Sequence, residues 1–174
     1  MRPDPAFAAV ALPHLDAAHN LARWLTGSAA EAEDVVQEAM VRALTYFPGF
    51  RGDNARAWIL QIVRNAAYAA LKARGAARAV PLGEDGDEPG APQLADPGDD
   101  PEVALIRTRE RQRLDALIER LPVELRETLV LRELEEMPYR DIARVTGAPI
   151  GTVMSRLWRA RRMLVRAAAK GTAP

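Results

Sequence analysis

The chain contains no cysteine and only two histidines, and these absences exclude several kinds of site. Without cysteine there is neither a disulfide framework nor a thiolate site for zinc. His14 and His19 are five residues apart, a spacing that does not bring two side chains together on one helix face. We therefore expect surface roles for both histidines and predict no metal and no cofactor.

Long uncharged apolar runs are missing as well. The first residues are polar and include Asp4, and no apolar segment typical of a secretory signal follows them. No stretch is both long enough and free enough of charge to span a bilayer. We expect a soluble, cytoplasmic protein that makes no membrane contact.

Aromatic residues amount to only 5% of the chain, whereas alanine, leucine and arginine are abundant. This composition favours helices. The 174 residues allow one domain or two small ones. The distribution of charge favours two domains, because the zero net charge is the sum of +2 for residues 1–78, −8 for residues 79–102 and +6 for residues 103–174.

The first basic part has the apolar spacing of three helices. We predict a helix from about Asp4 to Leu25 that is interrupted near Pro13, and a second helix up to about Phe47. Ser28 with Glu31 three residues later is typical of a capping box. Asn54 is placed to cap a third helix, from about Ala55 to Arg74. Three helices of this length can form one small helical bundle, which we predict for this part of the chain.

Glycine, proline, aspartate and glutamate dominate the residues from Gly75 to Pro101. Such a segment buries too little apolar surface to offset its ordering entropy, so we predict a flexible acidic linker. The acidic pairs Asp99-Asp100 and, further on, Glu135-Glu136 are interpreted as solvated charge.

Two more helices are predicted after the linker, from about Pro101 to Arg120 and from Pro122 to about Glu135. The segment Pro138–Arg166 then has the pattern of a short helix, a glycine turn and a longer basic helix. Gly147 suits the left-handed end of the short helix, and Pro149 suits the first turn of the next. A buried stripe is predicted at Val153, Leu157, Ala160 and Leu164.

This layout is that of a helix-turn-helix with an arginine-rich second helix. Seven basic residues and no acidic residue follow Asp141, which favours a polyanionic partner. The prediction is an all-α fold of two small helical domains joined by a flexible acidic linker. The N-terminal domain is a three-helix bundle, and the C-terminal domain has four helices, including the helix-turn-helix.

Three motifs together resemble a bacterial sigma factor of the extracytoplasmic-function group. AEDVVQEAMVRAL (Ala32–Leu44) is similar to the second conserved region of that family, and FRGDNARAWILQIVRNAAYAALK (Phe50–Lys72) resembles its promoter-melting segment. Residues Leu117–Leu164 resemble the fourth region. The resemblance implies a polymerase-binding, −10-melting domain over residues 1–75, a linker over residues 76–101 and a −35-binding domain over residues 102–170.

The resemblance also implies site residues. The surface for core RNA polymerase would comprise Asp34, Val35, Gln37, Glu38 and Arg42. Contacts to the melted −10 element would come from Arg51, Asp53, Asn54, Arg56, Arg64 and Asn65. Contacts to the −35 element would come from Thr152, Met154, Ser155, Arg156, Arg159 and Arg162.

Two aromatic residues are assigned from their spacing. Trp58 is predicted to lie in the core rather than to stack on a base, and Trp158 is predicted to pack in part on the fourth helix. Neither side chain is excluded from a DNA-facing role.

The resemblance further implies an anti-sigma factor as a partner, with no small-molecule substrate. A two-domain helix-turn-helix transcriptional regulator is the alternative. An enzyme is not supported, because the sequence offers no nucleophile–base pair and no glycine-rich phosphate loop.

Overall fold

The structure is a computed structural model that describes residues 5–78 and 101–170. Most of the predicted linker, residues 79–100, lies outside these residues, including the Asp99-Asp100 pair. Within the described ranges every regular element is helical, which confirms the predicted all-α class with two helical domains. No helix in those ranges has the length and apolarity needed to cross a membrane.

The N-terminal block consists of α1 (Pro5–Ala11), α2 (Leu15–Thr26), α3 (Ala29–Tyr46) and α4 (Ala55–Arg78). A 3-10 turn at Leu12–His14 separates α1 from α2, as the proline there predicts. Helices α2, α3 and α4 pack on one another around an apolar core. The largest side chains in that core are Leu21, Leu25, Ile59, Leu60 and Val63.

Two side-chain caps set where α3 and α4 begin. The Ser28 hydroxyl accepts a hydrogen bond from the Glu31 amide at 3.3 Å, which is half of the predicted capping box. The Glu31 carboxylate instead accepts from Arg74 at 3.0 Å. Asn54 Oδ1 accepts from the Ala57 amide at 3.0 Å, and its φ of 52° is one that asparagine tolerates better than most residues.

The C-terminal block consists of α5 (Pro101–Glu119), α6 (Val123–Leu129), α7 (Tyr139–Thr146) and α8 (Ile150–Lys170). The helix predicted up to Glu135 ends earlier, because the chain widens into a π-helical turn at Val130–Leu134. The Glu135 amide donates to the Val130 carbonyl in that turn. The wider turn redirects the chain and places Glu135 inward rather than on the surface.

The helix-turn-helix forms as predicted. Gly147 ends α7 with a φ of 67°, in the left-handed region where a side chain would be strained. On α8 the residues Val153, Leu157 and Ala160 are buried, and Leu164 packs against the same core. The opposite face of α8 is thereby left outward.

The two blocks pack against each other. Helix α7 lies on α4, and α6 lies on α2. Ion pairs between the blocks, Arg56–Glu135 and Arg64–Glu127, make part of their interface polar.

Candidate nucleic-acid interface

The outward face of α8 carries most of the residues predicted to contact the −35 element. Ser155, Arg159 and Arg162 are exposed, Thr152 is half-buried and Met154 is 53% exposed. The Ser155 hydroxyl donates to the Thr152 carbonyl at 3.0 Å. A strip of cationic and polar side chains, with the apolar Met154 among them, therefore runs along the outward face of α8.

Arg156 departs from this strip. Its side chain is largely buried, and Nη1 lies 3.5 Å from Glu127 Oε1. That nitrogen has no hydrogen-bond partner in the described structure, so the contact with Glu127 is one of charge alone. Arg156 points towards the junction of the blocks, not towards solvent.

Trp158 is 59% exposed, so the predicted packing on the fourth helix is not its main contact. The guanidinium of Arg162 lies over its indole, 4.8 Å from the ring centroid. Such a stack holds the arginine flat along the helix surface. Trp158 and Arg162 form a single exposed feature next to the cationic strip.

The loop before α4 brings aromatic rings together. Phe50 stacks on Trp58 with centroids 4.6 Å apart, and Phe47 stacks on Phe50 at 6.3 Å. Trp58 is half-buried and packs against the core, so core and stacking roles coexist in one side chain. Arg51 and Asp53 are exposed at the tip of this loop.

A cavity of about 260 Å³ opens beside Trp58. Asp53, Asn54 and Gln61 line it from the N-terminal block, and Arg144 of α7 lines it from the C-terminal block. An aromatic wall with polar side chains around it suits a planar, hydrogen-bonding group such as a nucleobase.

Arg64 of α4 is engaged by the C-terminal block. Its Nε donates to Glu127 Oε2 at 2.8 Å and its Nη2 donates to Glu127 Oε1 at 3.2 Å. Burial lowers the pKa of Arg64, but the hydrogen bonds and charge of Glu127 outweigh it and raise the pKa overall. Asn65, the next residue, is exposed.

The same guanidinium lies 4.2 Å from the ring centroid of Tyr68. Burial, followed by the negative charge of Glu127, raises the pKa of the Tyr68 hydroxyl. The Tyr68 hydroxyl therefore stays neutral at any physiological pH, and the Tyr68 ring packs against the guanidinium of the Arg64–Glu127 pair.

A second acidic residue joins the blocks nearby. Glu135 is only 8% exposed; its Oε2 accepts from Arg56 at 2.6 Å and its Oε1 accepts from Asn20 at 2.5 Å. Its interpretation as solvated charge was wrong, because the π-helical turn aims it at α2 and α4. Its neighbour Glu136 is exposed.

The residues predicted to bind polymerase lie on α3. Asp34, Gln37, Glu38 and Arg42 are exposed, and Glu38 accepts from Arg42 at 2.5 Å one turn away. Val35 is buried in the bundle and presents no surface to a partner. The structure thus groups four of the five residues and places the fifth beneath them.

Sequence reasoning missed Glu127, Glu135, Asn20 and Arg144. Glu127 and Glu135 are buried where the blocks meet, Asn20 is half-buried there, and Arg144 lines the cavity while remaining exposed. A helical pattern reports burial within one domain, so it does not detect burial between domains. The sequence feature that could have indicated these contacts is the excess of arginine on α4 and α8, because arginines that become buried need acidic partners.

Known protein families and relatives match most of the chain. The family described as Sigma-70 region 2 matches residues 11–77, and the family described as Sigma-70, region 4 matches residues 111–164. The RNA polymerase sigma-H factor of Pseudomonas aeruginosa is 38% identical over 144 residues, which cover 80% of this chain and 74% of the relative. The ECF RNA polymerase sigma-E factor of Escherichia coli K12 is 36% identical over 137 residues, covering 75% and 70%.

Solved structures match as well. The sigma factor RpoE in complex with the anti-sigma factor NepR, from Bartonella quintana, superposes with a TM-score of 0.72 at 26% identity, covering 92% of this chain and 95% of that one. CnrH, solved with the cytosolic domain of CnrY, has the same fold, with a TM-score of 0.65 at 24% identity, covering 97% and 90%.

Proposed function

This chain belongs to the extracytoplasmic-function sigma factors, and from that membership we propose how its two helical blocks take part in transcription initiation. As a member, it is an alternative sigma factor. Residues 1–75 bind core RNA polymerase and the −10 element, residues 102–170 bind the −35 element, and residues 76–101 are a linker that lets the blocks separate. The order of the two matched regions along the chain supports this division into two functional domains. Each region contains a cationic helix.

The polymerase surface is the exposed face of α3 at Asp34, Gln37, Glu38 and Arg42. Its mixture of acid, amide and cation suits a dissociable interface in which charge sets orientation and association rate. Val35 supports this face from within the bundle.

The −10 site is the aromatic loop before α4 and the cavity beside it. Arg51, Asp53, Asn54 and Arg56 surround an unstacked base of the non-template strand, with Trp58 as the ring against which it lies. Arg64 and Asn65 contact the duplex and its phosphates along α4.

The −35 site is the outward face of α8 in the major groove. Thr152, Met154 and Ser155 lie near the helix N-terminus, the part that reads base edges in helix-turn-helix proteins. Arg156 belongs to the same turns of α8 and joins this group once its contact with Glu127 is broken. Arg159 and Arg162 contact phosphates further along. Met154 offers an apolar contact suited to a thymine methyl group in place of a bidentate guanine contact.

The sigma-factor family consists of initiation factors and not of catalysts, and we propose that this chain likewise leaves all chemistry to the polymerase, in the cytoplasm. We also propose an anti-sigma factor as a partner. Support comes from the Bartonella quintana relative, whose structure contains one and shares the fold of this chain almost throughout.

Reconstituted transcription tests the proposal. Purified protein added to core polymerase should yield discrete transcripts from a library of promoter fragments, and the protein alone should bind duplex promoter DNA poorly. Strong sequence-specific duplex binding without polymerase, with no polymerase-dependent transcript, would instead support the two-domain regulator.

A further inference from the structure

Sulfur chemistry in this chain depends on methionine alone, because there are five methionines and no cysteine. Four of the five lie in the described ranges. Met137 is 2% exposed and Met40 is half-buried against the core, whereas Met163 is 41% exposed and Met154 is 53% exposed, both on α8. Since exposure governs how readily a methionine is oxidised, a dissolved oxidant reaches the two α8 sulfurs first.

Met154 lies in the part of α8 that we propose reads bases. It is in the second turn of the helix, and the exposed Trp158, one turn further along, shares its outward side. Met163 lies nine residues beyond Met154, which at about 3.6 residues per turn is two and a half turns and places it on the opposite side of α8. The two exposed methionines therefore differ in position and not in chemistry.

Building on the function proposed above, we propose that Met154 is a site of reversible oxidation that controls recognition of the −35 element. The oxidant is hydrogen peroxide. The thioether sulfur attacks one peroxide oxygen, the O–O bond breaks and an S–O bond forms, so that methionine becomes methionine sulfoxide. The departing hydroxide takes the proton of the transferred oxygen and leaves as water, and two electrons pass from sulfur to peroxide.

The sulfoxide changes what this side chain can contact. A thioether is apolar and polarizable, and it suits a thymine methyl group in the major groove. A sulfoxide is polar, so it loses that apolar contact. Its oxygen, placed against a methyl group, is removed from water without gaining a hydrogen bond, which weakens binding further.

The surroundings of Met154 add access and charge. A cavity of about 770 Å³ lies along this flank of α8, and its lining includes Tyr139, Trp158, Arg161 and Arg162 in addition to Met154. The cavity gives a small oxidant an open path to the sulfur. The sulfoxide oxygen is also an acceptor for guanidinium donors, so it competes with DNA phosphates for the arginines beside it.

Reversal requires the same accessibility. Methionine sulfoxide reductases A and B each reduce one sulfoxide epimer. A dithiol supplies the two electrons: it becomes a disulfide, the S–O bond breaks and the oxygen leaves as water. A sulfoxide on the exposed flank of α8 can enter such a reductase, whereas one at the buried position of Met137 cannot.

Oxidation is tested first on the full chain alone. The chain is treated with dilute hydrogen peroxide, the peroxide is removed with catalase, and peptide mass spectrometry follows the gain of one oxygen at each methionine. Met154 and Met163 should be oxidised before Met40 and Met137. The treated chain is then assembled with untreated core polymerase of Escherichia coli, and gel shift measures its affinity for a promoter fragment selected in the transcription assay above.

Oxidation should weaken promoter binding about tenfold, within the range that one mismatched base pair costs. Met154→Leu has no sulfur at this position, so peroxide treatment should leave its own affinity unchanged. Met163→Leu is the matched control and should lose affinity on oxidation as the unaltered chain does. The two reductases together should restore the oxidised chain, and Met154→Gln, with a polar oxygen in the side chain, should show the loss without oxidation.

The DNA supplies an independent readout. Deoxyuridine in place of thymidine removes the methyl group that Met154 is proposed to contact. Replacing the thymines of the −35 element one at a time should weaken binding of the reduced chain at one position and leave binding of the oxidised chain unchanged there. The absence of any such position would overturn the proposed contact and the control that depends on it.

Two other results would count against the proposal in different ways. Normal promoter binding that survives oxidation of Met154, or an equal loss in oxidised Met154→Leu, would overturn the oxidative control alone. Oxidation of Met154 in a chain that forms no promoter-specific complex with polymerase even when reduced would overturn the function proposed above, and the oxidative control with it.

Discussion

Arg64 and Glu127 are 63 residues apart in the chain and meet across the two helical blocks in a bidentate ion pair, with nitrogen–oxygen distances of 2.8 and 3.2 Å. The carboxylate is fully buried and the guanidinium is largely buried. A pair of this kind is costly to break on one side, because the remaining charge stays in a poorly solvated place.

We predict that Arg64→Ala lowers the free energy of unfolding by about 3–5 kcal/mol, the range for removing one partner of a buried ion pair. Arg161→Ala should cost less than about 1 kcal/mol, because the Arg161–Glu133 pair is half exposed and screened by water. Urea denaturation of both variants checks this. Equal losses would show that burial between the blocks adds nothing to the pair.

The helices and their ends could be predicted from the sequence because the relevant forces are local. Asn54 caps α4, Gly147 ends α7, and the stripe at Val153, Leu157 and Ala160 is buried, as spacing and turn chemistry require. Each of these depends on residues within one or two turns.

The burial of Glu127 could not be predicted in the same way. In the pattern of α6 the inward positions are Leu125 and Leu129, and Glu127 lies between them on another face. That face is covered by Arg64 of α4 and Arg156 of α8, which come from other parts of the chain. Glu135 was missed for a related reason, since a π-helical turn, which has no simple sequence pattern, sets its direction.

His14 gives a prediction about pH. Burial, followed by the positive charge of Arg56, lowers the pKa of His14. As the pH falls, His14 takes up a proton near pH 6.5 in the unfolded chain, whereas in the folded chain it stays neutral until a lower pH. Stability from this residue is present above that pH and is lost as the pH falls through the folded pKa.

The free energy of unfolding should therefore fall more between pH 7.5 and pH 5.5 in the unaltered chain than in His14→Gln, because glutamine at position 14 cannot take up a proton. The glutamates lose charge equally in both proteins, so their difference isolates His14. His19→Gln, on the exposed side of α2, is the matched control and should keep the full loss. A loss that persists undiminished in His14→Gln would assign the effect to other groups.

Arg159 gives a prediction about salt. It is exposed on α8 and forms no ion pair within the part of the chain that the structure describes. As a phosphate contact it should release about one counterion, so Arg159→Ala should reduce the slope of log affinity against log salt by about 1. Binding of the assembled holoenzyme to a promoter fragment at several salt concentrations measures this slope.

The loss in Arg159→Ala should be uniform across −35 sequences, because a phosphate contact carries no base preference. Arg120→Ala removes the same charge from the C-terminal block outside α8 and should leave the slope unchanged. A changed base preference in Arg159→Ala would move this residue into the base-reading group with Ser155.

Asn54 tests the proposed −10 site, but its cap and backbone limit which substitution is informative. Alanine would remove the hydrogen bond to the Ala57 amide and strain a φ of 52°, at about 1 kcal/mol for each effect. A defect in Asn54→Ala would therefore mix instability with lost recognition. Aspartate caps helices as well as asparagine does, so Asn54→Asp keeps the cap while it removes the amide donors and adds negative charge.

We predict that Asn54→Asp retains the wild-type unfolding free energy and polymerase affinity but opens promoters about tenfold more slowly, since lost hydrogen bonds to an unpaired base are worth about 1–3 kcal/mol. The fluorescence of 2-aminopurine placed in the −10 element follows opening directly. Gln112→Glu, an exposed amide-to-acid change on α5, is the control for added charge and should open promoters at the normal rate. Opening by Asn54→Asp at the wild-type rate would exclude the Asn54 amide from base capture and leave it only its role as the cap of α4.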